Sequence, residues 1–100
     1  MKRELKLLWL KDEMTRLNGL MLNEDEKINF YFGEDKEIYD RAIVNKNMLS
    51  SRLLACKLVK EKIHDNVPRH KFYEILLSNV RNNTEMVNAE NILKVLDKIA

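Results

Sequence analysis

The sequence predicts an all-α protein, a small antiparallel bundle of four to five helices with one long central helix, in a single domain over residues 1–100. Hydrophobic residues make up 45% of the chain, which is enough to bury a core in a domain of this size. Two Gly and one Pro leave too few turn residues for a sandwich or barrel of many short strands. Apolar residues recur at helical spacing along most of the chain.

The first helix is predicted over residues 2–18. Leu7, Leu10, Met14 and Leu17 alternate spacings of three and four, which places them on one helix face. Asn18-Gly19 is predicted to end this helix there or one turn later, because glycine tolerates the left-handed conformation that follows many helices.

Segment 20–33 has two interpretations. As a separate helix it is capped by Asn23 and ended by Gly33, with acidic residues in the first turn interacting favourably with the helix dipole. As a short β-hairpin over 20–32, it pairs Leu20-Met21-Leu22 with residues 28–32 around a turn at 23–27. The helix is the preferred prediction.

A long central helix is predicted from Asp35 to about Asp65, because this segment carries two apolar stripes and a helix that is apolar on two sides needs neighbours on both. Asn45 and Arg52 lie within the first stripe, where unpaired burial is costly. They therefore either find partners or the helix breaks near Asn45–Ser51. The first stripe contains Ile38, Ala42, Leu49, Leu53, Cys56, Val59 and Ile63, and the second contains Tyr39, Ile43, Leu54 and Leu58.

Two shorter helices are predicted to complete the domain. Pro68 suits the first turn of the earlier one, and Thr84 or Asn88 is expected to cap the last one. The apolar face of the earlier helix is Phe72, Ile75, Leu76 and Val80, and that of the last helix is Ala89, Ile92, Leu93, Val95, Leu96 and Ile99.

Composition narrows the functional classes. The longest unbroken apolar runs have four residues, whereas a membrane-spanning helix needs about 20, so no membrane association is expected. One cysteine and no recognisable signal segment predict a cytoplasmic protein. The chain contains 11 Asn and 12 Lys, a usage associated with AT-rich bacterial, phage or mobile-element genomes.

Patterns for catalysis or metal binding are weak, so no enzyme activity, cofactor or metal site is expected. Glu61-x-x-His64 has the spacing of helical di-iron ligands, but the chain contains no second such pair. Three carboxylates, at Glu34, Glu37 and Asp40, repeat every three residues and are best explained as acids near a helix start. Cys56 lies among apolar positions and is interpreted as a small buried hydrophobe.

Charge is unevenly distributed along the chain. Residues 24–40 carry a net charge of −5 and residues 52–71 a net charge of +4. The stretch Asn66 to Phe72, together with the basic helix before it, resembles a helix-turn-helix motif, with Asn66 in place of the usual turn glycine. The resemblance implies a small nucleic-acid-binding regulator, the alternative hypothesis for function. Its candidate phosphate contacts are Lys57, Lys60, Lys62, Arg69, His70 and Lys71.

Aromatic and methionine residues concentrate in the first half of the chain, and such side chains are enriched at protein interfaces. Phe30, Tyr31 and Phe32 are consecutive, so they cannot all face one small core. The preferred hypothesis is therefore a non-enzymatic module, of the kind a phage or mobile element uses as an accessory protein, that binds and modulates a partner protein and forms a homodimer. The predicted interface residues are Trp9, Phe30, Tyr31, Phe32, Tyr39 and Met48.

Overall fold

The computed structural model describes residues 2–99 and contains, within that range, four α-helices, one short 3-10 helix and no strand. The predicted all-α class is therefore confirmed. The helices are α1 (Lys2–Tyr31), α2 (Lys36–His64), α3 (Phe72–Asn79) and α4 (Asn83–Asp97), and the 3-10 helix spans Arg69–Lys71.

Helix α1 runs without a break through Gly19, so the predicted end at Asn18-Gly19 is wrong. A glycine inside a helix costs only about 1 kcal/mol, and the face that packs on α2 continues beyond it with Met21 and Ile28. Segment 20–31 is helical, as preferred, but it is the second half of α1. The β-hairpin does not form, and Asn23 lies inside the helix instead of capping one.

The chain reverses direction in four residues between α1 and α2. Gly33 adopts a φ of 74°, and the backbone N–H groups of Glu34 and Asp35 donate to the Tyr31 carbonyl at 3.0 and 3.3 Å. Asp35 then caps α2, since its side chain accepts a hydrogen bond from the Ile38 N–H at 3.2 Å. The turn is thus specified by one glycine and one capping acid.

Helix α2 confirms the predicted long central helix, and it shows no break near Asn45–Ser51. Arg52 has a partner for its charge, as one of the two sequence alternatives predicted: its Nε donates a hydrogen bond to Glu13 of α1 at 2.9 Å. After α2 ends, Asn66 takes a left-handed φ of 56°, in agreement with its predicted role in the turn.

The last two helices begin differently from the predictions. Pro68 precedes the 3-10 helix and lies outside α3. Asn82, and neither Thr84 nor Asn88, caps α4: its backbone is extended and its side-chain oxygen accepts a hydrogen bond from the Glu85 N–H at 2.9 Å.

The core lies where α4 packs on the C-terminal half of α2. Asn88 contacts Ser51 at 3.4 Å, while Leu96 lines a groove with Ile63, so α4 runs in the same direction as α2. The antiparallel arrangement predicted for the bundle is therefore wrong for this pair of helices. α2 thus has α1 on one side and α4 on another, as its two apolar stripes predicted. The fully buried side chains include Leu10, Leu17, Cys56, Val59, Leu76, Ala89 and Ile92.

The α1–α2 hairpin extends well beyond this core. We call residues 20–48 the arm and residues 2–19 with 49–99 the body. The molecule measures 50 × 26 × 20 Å, and its radius of gyration is 15.7 Å, whereas a compact chain of 100 residues has about 13 Å. Ala42 is the one fully buried residue of the arm, all of whose residues the structure describes.

Candidate protein-interaction surface

Large apolar side chains are exposed along the whole arm. Phe30 and Phe32 each expose 73% of their surface, and Met48 exposes 62%. The arm carries six of the eleven large hydrophobic residues that are exposed in the described part of the chain. These six are Leu20, Leu22, Phe30, Phe32, Val44 and Met48.

The aromatic residues meet at the end of the arm, which we call the tip (residues 30–41). Phe30 packs edge-on against Tyr31 with ring centroids 4.8 Å apart. Because Gly33 turns the chain back, Phe32 lies against Tyr39 of α2, with ring centroids 5.7 Å apart. Both tyrosines are half-buried while both phenylalanines face solvent. The structure thus places four predicted interface residues at the tip, as two separate ring pairs.

The other two predicted interface residues lie elsewhere. Trp9 is in the body, half-buried and packed against the core, so much of its surface is already used. Met48 lies at the base of the arm, where it lines a shallow groove with Val87 and the first residues of α4. Val44, one helical turn from Met48, is also exposed. Sequence reasoning missed it, because its exposure depends on where α4 begins.

Charged pairs on the arm surface are mostly local. Lys36 binds Asp40 at 2.8 Å and Arg41 binds Glu37 at 2.9 Å, each across one helical turn. The first of these pairs raises the pKa of the Lys36 ammonium, chiefly through the hydrogen bond from its Nζ to Asp40. Exposed pairs of this kind contribute little stability, so they shape the charge of the tip more than they hold it together.

The packed side of the arm is unusually polar. Glu24 lies at the position between Met21 and Ile28 that faces α2, and it shares a groove with Asn45 and Arg41. Lys27 Nζ lies 3.4 Å from Glu24 Oε1, but Glu24 Oε2 is buried and accepts no hydrogen bond from the described residues. A buried acceptor left unpaired is destabilising, so the arm is packed less favourably than the body.

Glu13 lies on α1 in the body, between the buried side chains of Leu10 and Leu17. Its carboxylate is buried and accepts hydrogen bonds from Arg16 of its own helix and from Arg52 of α2. The hydrogen bond from Arg16, with a further contribution from Arg52, holds the pKa of the Glu13 carboxyl below its usual value, although burial opposes the shift. This cluster fastens α1 to α2 within the body, near the base of the arm.

The basic residues of the alternative hypothesis do not form one surface. Lys57 and Lys60 are three residues apart and are neighbours on one face of α2. Lys62 points about 140° away from Lys57, and its side chain is only 16% exposed. Arg69 makes a two-pronged ion pair with Asp97 at 2.9 and 2.8 Å. His70 and Lys71 are exposed in the 3-10 helix.

The residues with metal-binding or nucleophilic chemistry are not assembled into a site. Residues 2–99 contain no group of three or more His, Cys, Asp or Glu side chains arranged to hold a metal ion. Cys56 is fully buried, as predicted, and burial raises the pKa of its thiol to about 11. A thiol in this state is a poor nucleophile near neutral pH.

Across the described range, every helix is too short or too polar to cross a bilayer. No protein-family model, curated protein or solved structure matches the chain. Its function must therefore be inferred from its own surfaces, and the exposed arm is the most distinctive of them.

Proposed function

We propose that this chain is a non-enzymatic interaction module that binds another protein chain through its arm. The exposure of apolar side chains on the arm is the observation that supports this proposal. Apolar patches of this kind, rimmed by charged residues, are characteristic of protein-binding sites. Phe30 and Phe32 contribute most of the exposed ring area, and aromatic rings supply much of the binding energy at interfaces.

The division of the molecule also supports this function. The body has its own core and holds the arm in place through Glu13 and Arg52, so the arm can present side chains without contributing much to folding. Side chains on a rigid helical hairpin lose little conformational entropy on binding, which favours affinity.

Affinity capture from the native host tests the proposal. The bait is a tagged chain, so that the untagged native chain also counts as a partner. Phe30→Ala with Phe32→Ala alters the tip, and Tyr73→Ala with Leu77→Ala is the matched control, because these two residues of α3 are also more than half exposed. Circular dichroism verifies that both variants keep their helices.

We expect the wild-type and control baits to retain a stoichiometric protein after nuclease treatment. The tip variant should lose roughly tenfold or more of it, as expected for removing two interface rings. Equal capture by all three baits would contradict the proposal. Capture that disappears with nuclease and with Lys71→Glu would instead support the nucleic-acid hypothesis.

A further inference from the structure

We propose that the arm is covered by the arm of a second copy of this chain, in an antiparallel dimer with two-fold symmetry. This inference rests on the proposed function and names the partner. It predicts four packed helices where the arm of the isolated chain has two, with each tip lying beside the body of the other copy.

The face of α2 that α4 covers in the body is left uncovered in the arm. In the body, α4 covers one side of α2, where Ser51 and Ala55 lie. The same side of α2 continues towards the tip with Met48 and Val44, at spacings of three and four residues. α4 begins beside Met48, so these two side chains remain more than half exposed. A helix from another chain would extend the cover that α4 begins.

The molecule also has more accessible surface than a compact monomer of its mass. The accessible area of 6822 Å² exceeds the value of about 6000 Å² expected for a compact monomer of 11.9 kDa by roughly 800 Å². One partner in an interface of standard size contributes about 800 Å². The surface that the protruding arm adds is therefore comparable to one side of a stable dimer interface.

The two ends of the arm carry charges of opposite sign. The tip has four acids against Lys36 and Arg41, a net charge of −2, and Glu34 and Asp35 are the acids outside its two ion pairs. At the base, Arg16 binds the same Glu13 as Arg52, and Arg52 lines a groove with the first residues of α4. Arg16 is 55% exposed and Arg81, just before α4, is 68% exposed. Antiparallel packing places the acidic tip of each copy beside these arginines of the other.

Two-fold symmetry also accounts for the polar middle of the arm. Glu24 lies roughly halfway between the base and the tip, so the symmetry axis passes close to it. Arg41 shares the groove of Glu24, and the axis brings Arg41 of each copy towards Glu24 of the other. The buried oxygen of Glu24 that lacks a partner within one chain would then receive a charged donor.

Analytical ultracentrifugation from micromolar to millimolar chain concentration tests the dimer. Met48→Glu places a charge in the proposed interface, whereas Leu22→Glu is the matched control. Leu22 is as exposed as Met48, at 62%. It lies on the side of α1 opposite the groove formed with Glu24 and Lys27, because each residue rotates the helix by about 100°. Val44→Glu repeats the test if Met48→Glu lowers helicity.

We expect wild type and Leu22→Glu to reach twice the chain mass of 11.9 kDa, and Met48→Glu to dissociate roughly tenfold more easily or worse, because a buried charge is unfavourable. A wild type that stays monomeric throughout, or a dimer that Met48→Glu leaves unchanged, would overturn the inference. Either result leaves the proposed function standing if the capture experiment still finds a partner that depends on the tip.

Disulfide mapping tests the antiparallel orientation. Glu34→Cys at the tip and Thr84→Cys at the start of α4 are prepared as separate chains and mixed under oxidation. Cys56 does not compete, since it is fully buried. We expect mixed disulfides between the two variants to predominate. A predominance of Glu34→Cys pairs would show that the tips meet and would overturn the orientation.

Discussion

The arm and the body share the α1–α2 hairpin, and they differ in whether a third helix covers it. In the body, α4 packs on α2, and residues such as Leu17, Val59 and Ile92 lose all contact with solvent. In the arm the same two helices have only each other, and Ala42 is the one residue that becomes fully buried. Two helices can bury one stripe of each, so a second apolar stripe stays exposed unless another element packs on it.

The tip differs from the rest of the molecule in what its ion pairs join. In the body, Glu13 and Arg52 join α1 to α2, and Asp25 and Lys46 join the same two helices within the arm. At the tip, Lys36 and Asp40 join neighbouring turns of one helix. A pair between elements restrains the tertiary structure, whereas a pair within a helix adds only about 0.2–0.5 kcal/mol to that helix. The ion pairs of the tip therefore contribute less to the tertiary structure than those closer to the core.

A substitution in the core of the body is expected to change the free energy of unfolding most. Leu76→Ala, at a fully buried position, should lower the free energy of unfolding by about 2–5 kcal/mol, because it removes transfer energy and leaves a cavity. Phe32→Ala, at the exposed tip, should change it by less than about 0.5 kcal/mol. Urea unfolding followed by circular dichroism measures both values. Similar losses for the two variants would mean that the tip belongs to the folding core.

Helical spacing predicted much of the fold because side-chain direction follows directly from it. The apolar face assigned to the last helix is the face that is buried, including Ala89, Ile92 and Leu96. Helical spacing does not show which other helix packs on a given face. The sequence alone suggested a helix end at Gly19, but packing of Met21 and Ile28 towards α2 outweighs the small cost of a glycine.

The candidate site was predictable only in part for a similar reason. Three consecutive rings cannot share one face, so local geometry predicted that at least one of Phe30, Tyr31 and Phe32 is exposed. The structure shows that Phe30 and Phe32 are the exposed ones. The burial of Trp9 against the core and the exposure of Val44 depend on where α4 begins and ends. The cap of α4 was misplaced because Asn82, Asn83 and Thr84 are adjacent residues that all suit a helix start, and only the backbone geometry selects Asn82.

Acid should weaken the contact between α1 and α2 near the base of the arm. The lowered pKa of Glu13 in the folded state means that its ion pairs stabilise the protein above the unfolded-state pKa of about 4.3 and lose this effect as the pH falls through the lower folded-state value. Glu13→Gln should therefore lower the free energy of unfolding by about 1–2 kcal/mol at neutral pH. The loss is modest because Arg16, one of the two partners, is exposed to solvent.

The pH profile distinguishes this effect from a simple packing change. Unfolding free energies of wild type and Glu13→Gln, measured by urea titration from pH 7 to about pH 2, should converge as the pH falls below about 4. A difference that stays constant across this range would show that the charge of Glu13 does not matter and that its contribution is steric.

The smallest effects come from the two glycines, which test whether the arm is a continuous extension of the body. Gly19 has helical neighbours on both sides, and a Cβ there would meet nothing within 4 Å. Gly19→Ala should therefore raise the free energy of unfolding by about 0.5–1 kcal/mol, because alanine favours the helix. Gly33→Ala should lower it by about 1 kcal/mol, because its φ of 74° is unfavourable for a side chain. Urea titration of both variants gives the two signs, and a loss of stability in Gly19→Ala would mean that α1 bends there in solution, which would make the arm a separate helical unit.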